Sequence, residues 1–440
     1  MNKTVLIVSY FYPPHVSPGA IRASKYARYL PEYGWVPLIL TADKNDYAGD
    51  LPIEVAPGAL YRTHQFDINA LPKLFINSNE SPVHKNASNR KRIVSHILSV
   101  GRKSYADIAN FPDGQIGWYP YAWRKGLRIV NERLPQVIFS TSSPATDHLV
   151  GYKLKQKTGL PWIAELRDPW TQNHNYQRVQ PFRELEFCLE KRVLNAADAV
   201  ITVSEPWAAE LRKYVQAPVY VVHNGFDSKD YPRRLPLAHP LTISYTGILY
   251  EGHQDPSPLF EAIASLHKKD ILKPTRLRLK FIGRFVNKLS AAADKFGISE
   301  YVEIRNATDR AEALRIQTES FLLLMLSWHG PHRFGCMGLK LYEYFGSGRP
   351  VLAIGPKDCG ASVLTAQLNA GFIAENAQQV ESILLNALTE FENTGDVSFS
   401  PDVEGLRRFE RRNLTGELAA ILDRVINKQK VLPSGAGRKD

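Results

Sequence analysis

In KLYEYFGSGRPVLAI, residues 340–354, a lysine and a glutamate stand three positions apart in a run that reads as helix. At about 100° per residue, Leu341 and Phe345 share one face, flanked by Tyr342 and Tyr344, while Lys340 and Glu343 fall on the other. Gly338 lies just ahead, where the helix should begin. A helix start presents unpaired N–H groups and partial positive charge, which suit a phosphate. A cation in the first turn opposes the dipole, and an anionic ligand would remove the objection. Ionised Glu343 only accepts hydrogen bonds and can take two hydroxyl protons, as from a ribose diol. A surface Lys–Glu pair has the same spacing, and spacing alone leaves the two readings level.

Other residue types invite weighing. Asp168 follows an apolar run and precedes Pro169-Trp170. There it would orient an acceptor hydroxyl or take its proton, the alternative being a pair with Arg167 or a turn cap. Glu165 and His148 are weaker candidates. His332 and Arg333, before FGCMG, would meet a ligand, or else sit in a mobile loop. Arg284 in FIGRF ends a strand and would approach phosphate, or else lie on the surface. Arg22, Lys25 and Arg28 recur every three residues on one helix and read as a solvated face. Trp118, Trp123, Trp162 and Trp170 are expected mostly in the core.

The elements that must position these groups are short β-branched runs alternating with helical patterns. The runs are 4–10, 36–42, 136–143, 161–168, 198–204 and 218–224, then 241–247, 277–283, 301–306, 320–327, 350–355 and 371–376. Most are apolar on both faces, as parallel strands under helices are. Helical patterns at 21–34, 184–198, 257–269 and 287–297 stop at glycine or a polar cluster. Such alternation predicts βαβ units, and it occurs twice, on either side of the proline-rich stretch 227–240. After Glu343, Gly346-Ser347-Gly348 ends the helix and Pro350 opens a strand, so helix start and strand end share the rim where such folds bind ligands.

With 440 residues and 44% hydrophobic content, the chain has the material for two cores. Net charge +11 favours anionic partners without choosing among them. Cys188, Cys336 and Cys359 have no metal-ligand or CxxC spacing, which predicts a reducing, cytoplasmic setting. No signal peptide precedes TVLIVSY, and no run approaches the ~20 apolar residues of a membrane span. Residues 77–110 break the alternation. They read first as a solvated excursion with one amphipathic helix, and second as a surface touching anionic lipid at the inner face of the membrane, through 85–103. P-loop, HExxH and GxSxG patterns are absent, as is any aromatic-basic RNA motif, so no nucleic-acid partner is expected.

KLYEYFGSGRPVLAI resembles the donor-binding helix of GT-B glycosyltransferases, in particular the retaining glycosyltransferase 4 family. Further segments resemble that family in its own order: 9–35, 141–170, 203–211, 221–227, 245–263, 281–285 and 409–423. The resemblance implies an α/β protein with two Rossmann-like doubly wound domains facing a cleft. It implies an acceptor-side domain 1–226, a linker 227–240, a donor domain 241–405, a helix 406–428 crossing back to the first domain, and a disordered tail 429–440. The implied activity moves a sugar from a nucleotide-diphosphate donor to a saccharide or lipid-linked acceptor. The anomeric configuration would be retained and neither metal nor cofactor needed, in bacterial surface polysaccharide synthesis.

Carried over residue by residue, Glu343 would bind ribose, and Lys340 with the backbone of Gly338 and Leu339 would meet the diphosphate. Gly19, Gly247 and Arg284 would also lie near the donor, His332, Arg333 and Gly335 would meet its sugar or diphosphate, and Arg167 and Asp168 would stand on the catalytic side. Gly335 occupies the place of the family's first motif glutamate, eight positions before Glu343. That departure keeps open a non-catalytic scaffold, and a GT-B sugar-nucleotide epimerase stands beside it as a second alternative.

Overall fold

The computed structural model describes residues 3–43, 49–68, 109–173, 176, 181–250, 252–328 and 338–431. It divides into two compact units: Met1–Val222 with Thr415–Asp440, and His223–Leu414.

The first unit carries strands β1 (Lys3–Val8), β2 (Trp35–Ala42), β3 (Leu60–Thr63), β4 (Val137–Ser142), β5 (Trp162–Leu166), β6 (Ala199–Thr202) and β7 (Val219–Val221). They form one parallel sheet in the order β3-β2-β1-β4-β5-β6-β7. The order reverses between β1 and β4, where Val5 registers with Val137. A doubly wound sheet opens its ligand crevice at such a reversal. Trp35, Trp118 and Trp162 are fully buried in this unit, and Trp170 is nearly so.

The second unit carries β8 (Leu241–Ile248), β9 (Leu277–Arg284), β10 (Val302–Arg305), β11 (Leu322–Leu326), β12 (Val351–Ile354) and β13 (Gly371–Ala374). Its order is β10-β9-β8-β11-β12-β13, again parallel, with the reversal between β8 and β11. Alternate residues of β11 feed two cores. Leu322, Leu324 and Leu326 pack with Tyr245, Phe260 and Phe281, while Leu323 and Met325 pack with Leu341, Tyr342, Tyr344 and Phe345. This two-sided burial is why FLLLML reads as an unbroken apolar run.

All twelve expected strands are present within two or three residues of their expected ends. One more appears, β3, whose residues LYRT are only half-buried at the sheet edge. The expected helix 21–34 is a helix Pro18–Tyr29 followed by a 3-10 turn Leu30–Tyr33, closed by Gly34 in the left-handed region. The final helix runs Arg411–Val431, separate from a short helix Val403–Arg407, so it starts later and ends later than 406–428. From Thr415 onward it belongs to the first unit, where Asp423 pairs with Lys3 and accepts from Trp35 Nε1 at 3.2 Å. No helix among the described residues is long and apolar enough to cross a membrane.

Candidate active site

In the second unit the helix Leu339–Gly346 starts as its sequence requires. Gly338 is the N-cap in extended conformation, Ser347 closes the other end, and Gly348 turns with φ of 69° into β12. Leu341, Tyr342, Tyr344 and Phe345 are buried, while Lys340 and Glu343 lie on the opposite, partly buried side. Tyr344 anchors the helix to the sheet, its hydroxyl accepting from Thr246 N–H at 3.1 Å. Gln317 Nε2 donates to the Thr246 hydroxyl at 2.9 Å and fixes the same strand end.

Lys340 Nζ lies 3.4 Å from the centroid of the Tyr245 ring. Among the described residues no carboxylate pairs with it and no acceptor takes its protons. Burial pushes its pKa well below the usual lysine range, and Glu343 offsets this only in part. Gly247, at the end of β8 with φ of 120°, makes the room: a Cβ there would stand 3.1 Å from Lys340 Cε. The beginning of the helix, the end of β8 and a poorly neutralised ammonium thus converge at the reversal of the sheet. An anion held there would satisfy the lysine and the open N–H groups together.

Glu343 is already engaged. Its Oε1 forms an ion pair with Arg310, on the helix Arg310–Glu319. Sequence reasoning passed over this helix and its arginine, although Asp309 caps it by accepting from Glu312 N at 2.7 Å, an Asp-x-x-Glu signature visible in the chain. Arg284 is exposed at the end of β9, where its carbonyl accepts from Leu249 N at 3.1 Å. Gln254, buried, ties the loop after β8 to β11: Nε2 donates to Leu326 O at 2.9 Å and Oε1 accepts from Tyr250 N at 3.0 Å. On that loop His253 stacks on Trp328, centroids 4.8 Å apart.

The first unit has its own rim. Gly19, in the first turn of the helix Pro18–Tyr29, lies under Arg167; a Cβ there would come 2.0 Å from Nη1. The space expected to admit a donor phosphate is, within this unit, filled by a guanidinium. Arg167 Nη2 donates to Ser143 O at 2.6 Å, and Nε is buried without a described acceptor. Asp168, next along, is exposed. Glu165 is wholly buried and saturated by Arg22, Tyr26 and Thr141, so it is a structural acid. Arg22 and Lys25 correct the reading of a solvated face: both are buried, Arg22 on Glu165 and Lys25 beside Glu54.

His148 is fully buried too. Its Nδ1 meets Ser140 Oγ at 2.8 Å, and Ser140 Oγ accepts from Trp162 Nε1 at 2.9 Å. Burial lowers the imidazole to about 3, from an ordinary 6.5. Between these values the unfolded chain binds the extra proton, so stability rises with pH across that window and is lost on acidification. His148→Gln should remove roughly 2–3 kcal/mol of the stability difference between pH 7 and pH 4.5. Urea unfolding at the two pH values reads this; an unchanged difference would mean that the imidazole is not held neutral.

His332, Arg333, Gly335 and Cys336 lie outside the described residues, as does the basic segment 85–103. Among the described residues no three His, Cys, Asp or Glu side chains gather as metal ligands.

Residues 91–230 match the model of Glycosyltransferase Family 4. No curated protein matches the chain. Among solved structures, sucrose-phosphate synthase from Thermosynechococcus elongatus aligns over 97% of this chain and 100% of its own, with TM-score 0.61 and 14% identity. Anabaena HepE in complex with UDP and glucose aligns over 96% and 100%, with TM-score 0.59 and 14% identity. The lipopolysaccharide outer core galactosyltransferase WaaB, in its apo form, aligns over 96% and 99%, with TM-score 0.52 and 13% identity. The two parallel sheets, of seven and six strands, are those of the GT-B fold. The chain has the GT-B fold, and the segment similar to Glycosyltransferase Family 4 lies in its first unit up to Val222 and ends in the second.

Proposed function

We propose that the second unit binds the nucleotide-diphosphate part of a UDP- or GDP-type sugar donor and that the protein transfers the sugar to a hydroxyl of a saccharide or lipid-linked acceptor. The observation that carries this reading is Lys340: a lysine without a described counter-ion, at the start of a helix, beside a glycine at the sheet's reversal. A diphosphate leaving group gains charge as its bond to the sugar breaks, and fixed cations and N–H groups aimed at it lower the barrier. HepE, of the same fold, was solved with UDP and glucose, which supports a uridine donor.

In the reaction proposed, the bond from the anomeric carbon to the phosphate oxygen breaks and a bond to the acceptor oxygen forms on the same face. The acceptor proton passes to a phosphate oxygen of the leaving diphosphate, and configuration is retained. Lys340 supplies positive charge at the diphosphate, and the reading includes independence from metal. A role in surface polysaccharide synthesis is part of the same proposal.

The test is thermal and urea unfolding with UDP, GDP, ADP and dTDP, each with Mg²⁺ and with EDTA. One nucleotide at 100 times its Kd should add about 2.7 kcal/mol, equally in both buffers. No stabilisation by any of them would overturn the donor-site reading. Stabilisation only with Mg²⁺ would overturn the metal-independent part.

A further inference from the structure

The second unit holds its nucleotide-side carboxylate with residues from two other parts of the chain. Arg310 pairs with Glu343 Oε1, and its Nη2 also lies 3.5 Å from Asp230 Oδ2. Both arginine and glutamate side chains are largely buried, with relative exposures of 14% and 15%. Asp230 ends the 3-10 turn Ser228–Asp230, in the stretch that the sequence marks as a linker. The next residue, Tyr231, donates its hydroxyl proton to Glu343 O at 2.7 Å. Its ring lies against Gly346, where a Cβ would stand 2.7 Å from the ring, so only glycine allows the approach. Further along the same stretch, Arg234 donates to Gly348 O at 3.2 Å. The segment is therefore strapped along the helix that carries Glu343, and Arg310 is the clasp between the strap and the carboxylate.

A glutamate left to itself on a helix surface samples several rotamers and loses that freedom on binding a ligand. An arginine that holds one oxygen removes much of the loss beforehand, while the second oxygen remains for a hydroxyl donor. Among the described residues Oε2 has no donor.

We propose that Arg310 is a positioning residue for nucleotide recognition. It fixes Glu343 through Oε1 so that Oε2 accepts from the ribose 2′-hydroxyl, and the Asp230–Tyr231 strap holds the pair in place. This rests on the donor-site reading above. It adds that the preference for a ribonucleotide over its 2′-deoxy counterpart is set by a residue that does not itself touch the ligand.

The experiment is calorimetric titration of the full-length protein with UDP and GDP, each beside its 2′-deoxy form. The proteins are wild type, Arg310→Gln, Arg310→Lys, Glu343→Gln and the Arg310→Gln/Glu343→Gln double variant, with circular dichroism as the check of folding. Wild type should prefer the ribonucleotide by about tenfold, the worth of one hydrogen bond to a charged group. Arg310→Gln should abolish that preference by weakening only the ribonucleotide. The double variant should be no weaker than Glu343→Gln alone, because Arg310 acts through Glu343. Should Arg310→Gln fail to fold, Arg310→Lys decides: it keeps the charge without the fork, and should still lose part of the preference. Equal weakening of ribo- and deoxyribonucleotide would overturn the proposal, as would losses that multiply in the double variant. Tight wild-type binding without discrimination would overturn it and leave the donor site standing. Absence of binding by all four nucleotides would remove both.

Discussion

Lys340→Met is expected to lower kcat by about 10²–10³ while leaving the unliganded protein more stable than wild type. The two effects have one origin. The Lys340 ammonium rests on the Tyr245 ring with no described counter-ion, and burial depresses its pKa. In the free protein the charge is a liability, and methionine fills a similar volume without it. With a diphosphate bound the same charge is neutralised at close range, and its effect grows as the leaving group gains negative charge. The sign of the pH dependence follows. The free amine has a lowered pKa and the anion restores it, so binding takes up a proton in the window between the two values. Nucleotide affinity should therefore fall as pH rises through that window, and the fall should vanish in Lys340→Met. Calorimetry in buffers of different ionisation enthalpy measures the proton uptake, and thermal unfolding without ligand measures the stability. Retained kcat in the variant would remove Lys340 from the site. A drop in unfolding temperature would show that the amine already has a partner in the free protein.

Much of this site is legible in the chain, and the illegible part has a common physical character. Lys340 and Glu343 share a helix face because the helix repeat is a local property, and the stop at Gly346-Ser347-Gly348 is local chemistry as well. FLLLML announces a strand buried on both sides because each residue carries its own transfer free energy. The edge strand LYRT carries too little of that signal. Charges depend on partners distant in sequence. Arg22, Lys25 and Arg28 have the spacing of a solvated stripe, yet Glu165 on β5 and Glu54 on a loop draw the first two inward. Arg310 reaches Glu343 across 33 positions, and nothing at either residue records the pairing. The glycine at position 19 was legible as a site of close approach, but its neighbour, Arg167, was not.

The second large effect concerns that buried acid. Glu165→Ala should destabilise the first unit by about 3–5 kcal/mol, the range seen when one partner of a buried ion pair is removed. The Glu165 carboxylate accepts from Arg22 Nε at 3.0 Å, Arg22 Nη2 at 2.8 Å, Tyr26 OH at 2.9 Å and Thr141 Oγ1 at 2.6 Å. Its loss would leave the Arg22 guanidinium, whose Nη2 also donates to the Val222 carbonyl at 2.8 Å, buried without its carboxylate. Burial alone would raise the Glu165 carboxyl, but Arg22, the Thr141 hydroxyl and Arg167 outweigh it and hold its pKa below the usual range. A depressed carboxylate contributes stability above its unfolded pKa and loses it as pH falls toward the folded value. The deficit of Glu165→Ala relative to wild type should accordingly shrink in acid. Glu165→Leu combined with Arg22→Met should recover most of the loss, because the pair's desolvation penalty then disappears with its attraction. Urea unfolding of the single and double variants at pH 7 and pH 4 resolves these terms. A single-variant loss below about 1 kcal/mol would place the pair in the solvent-screened class, and Glu165 would return to the candidates for chemistry at the rim of the sheet.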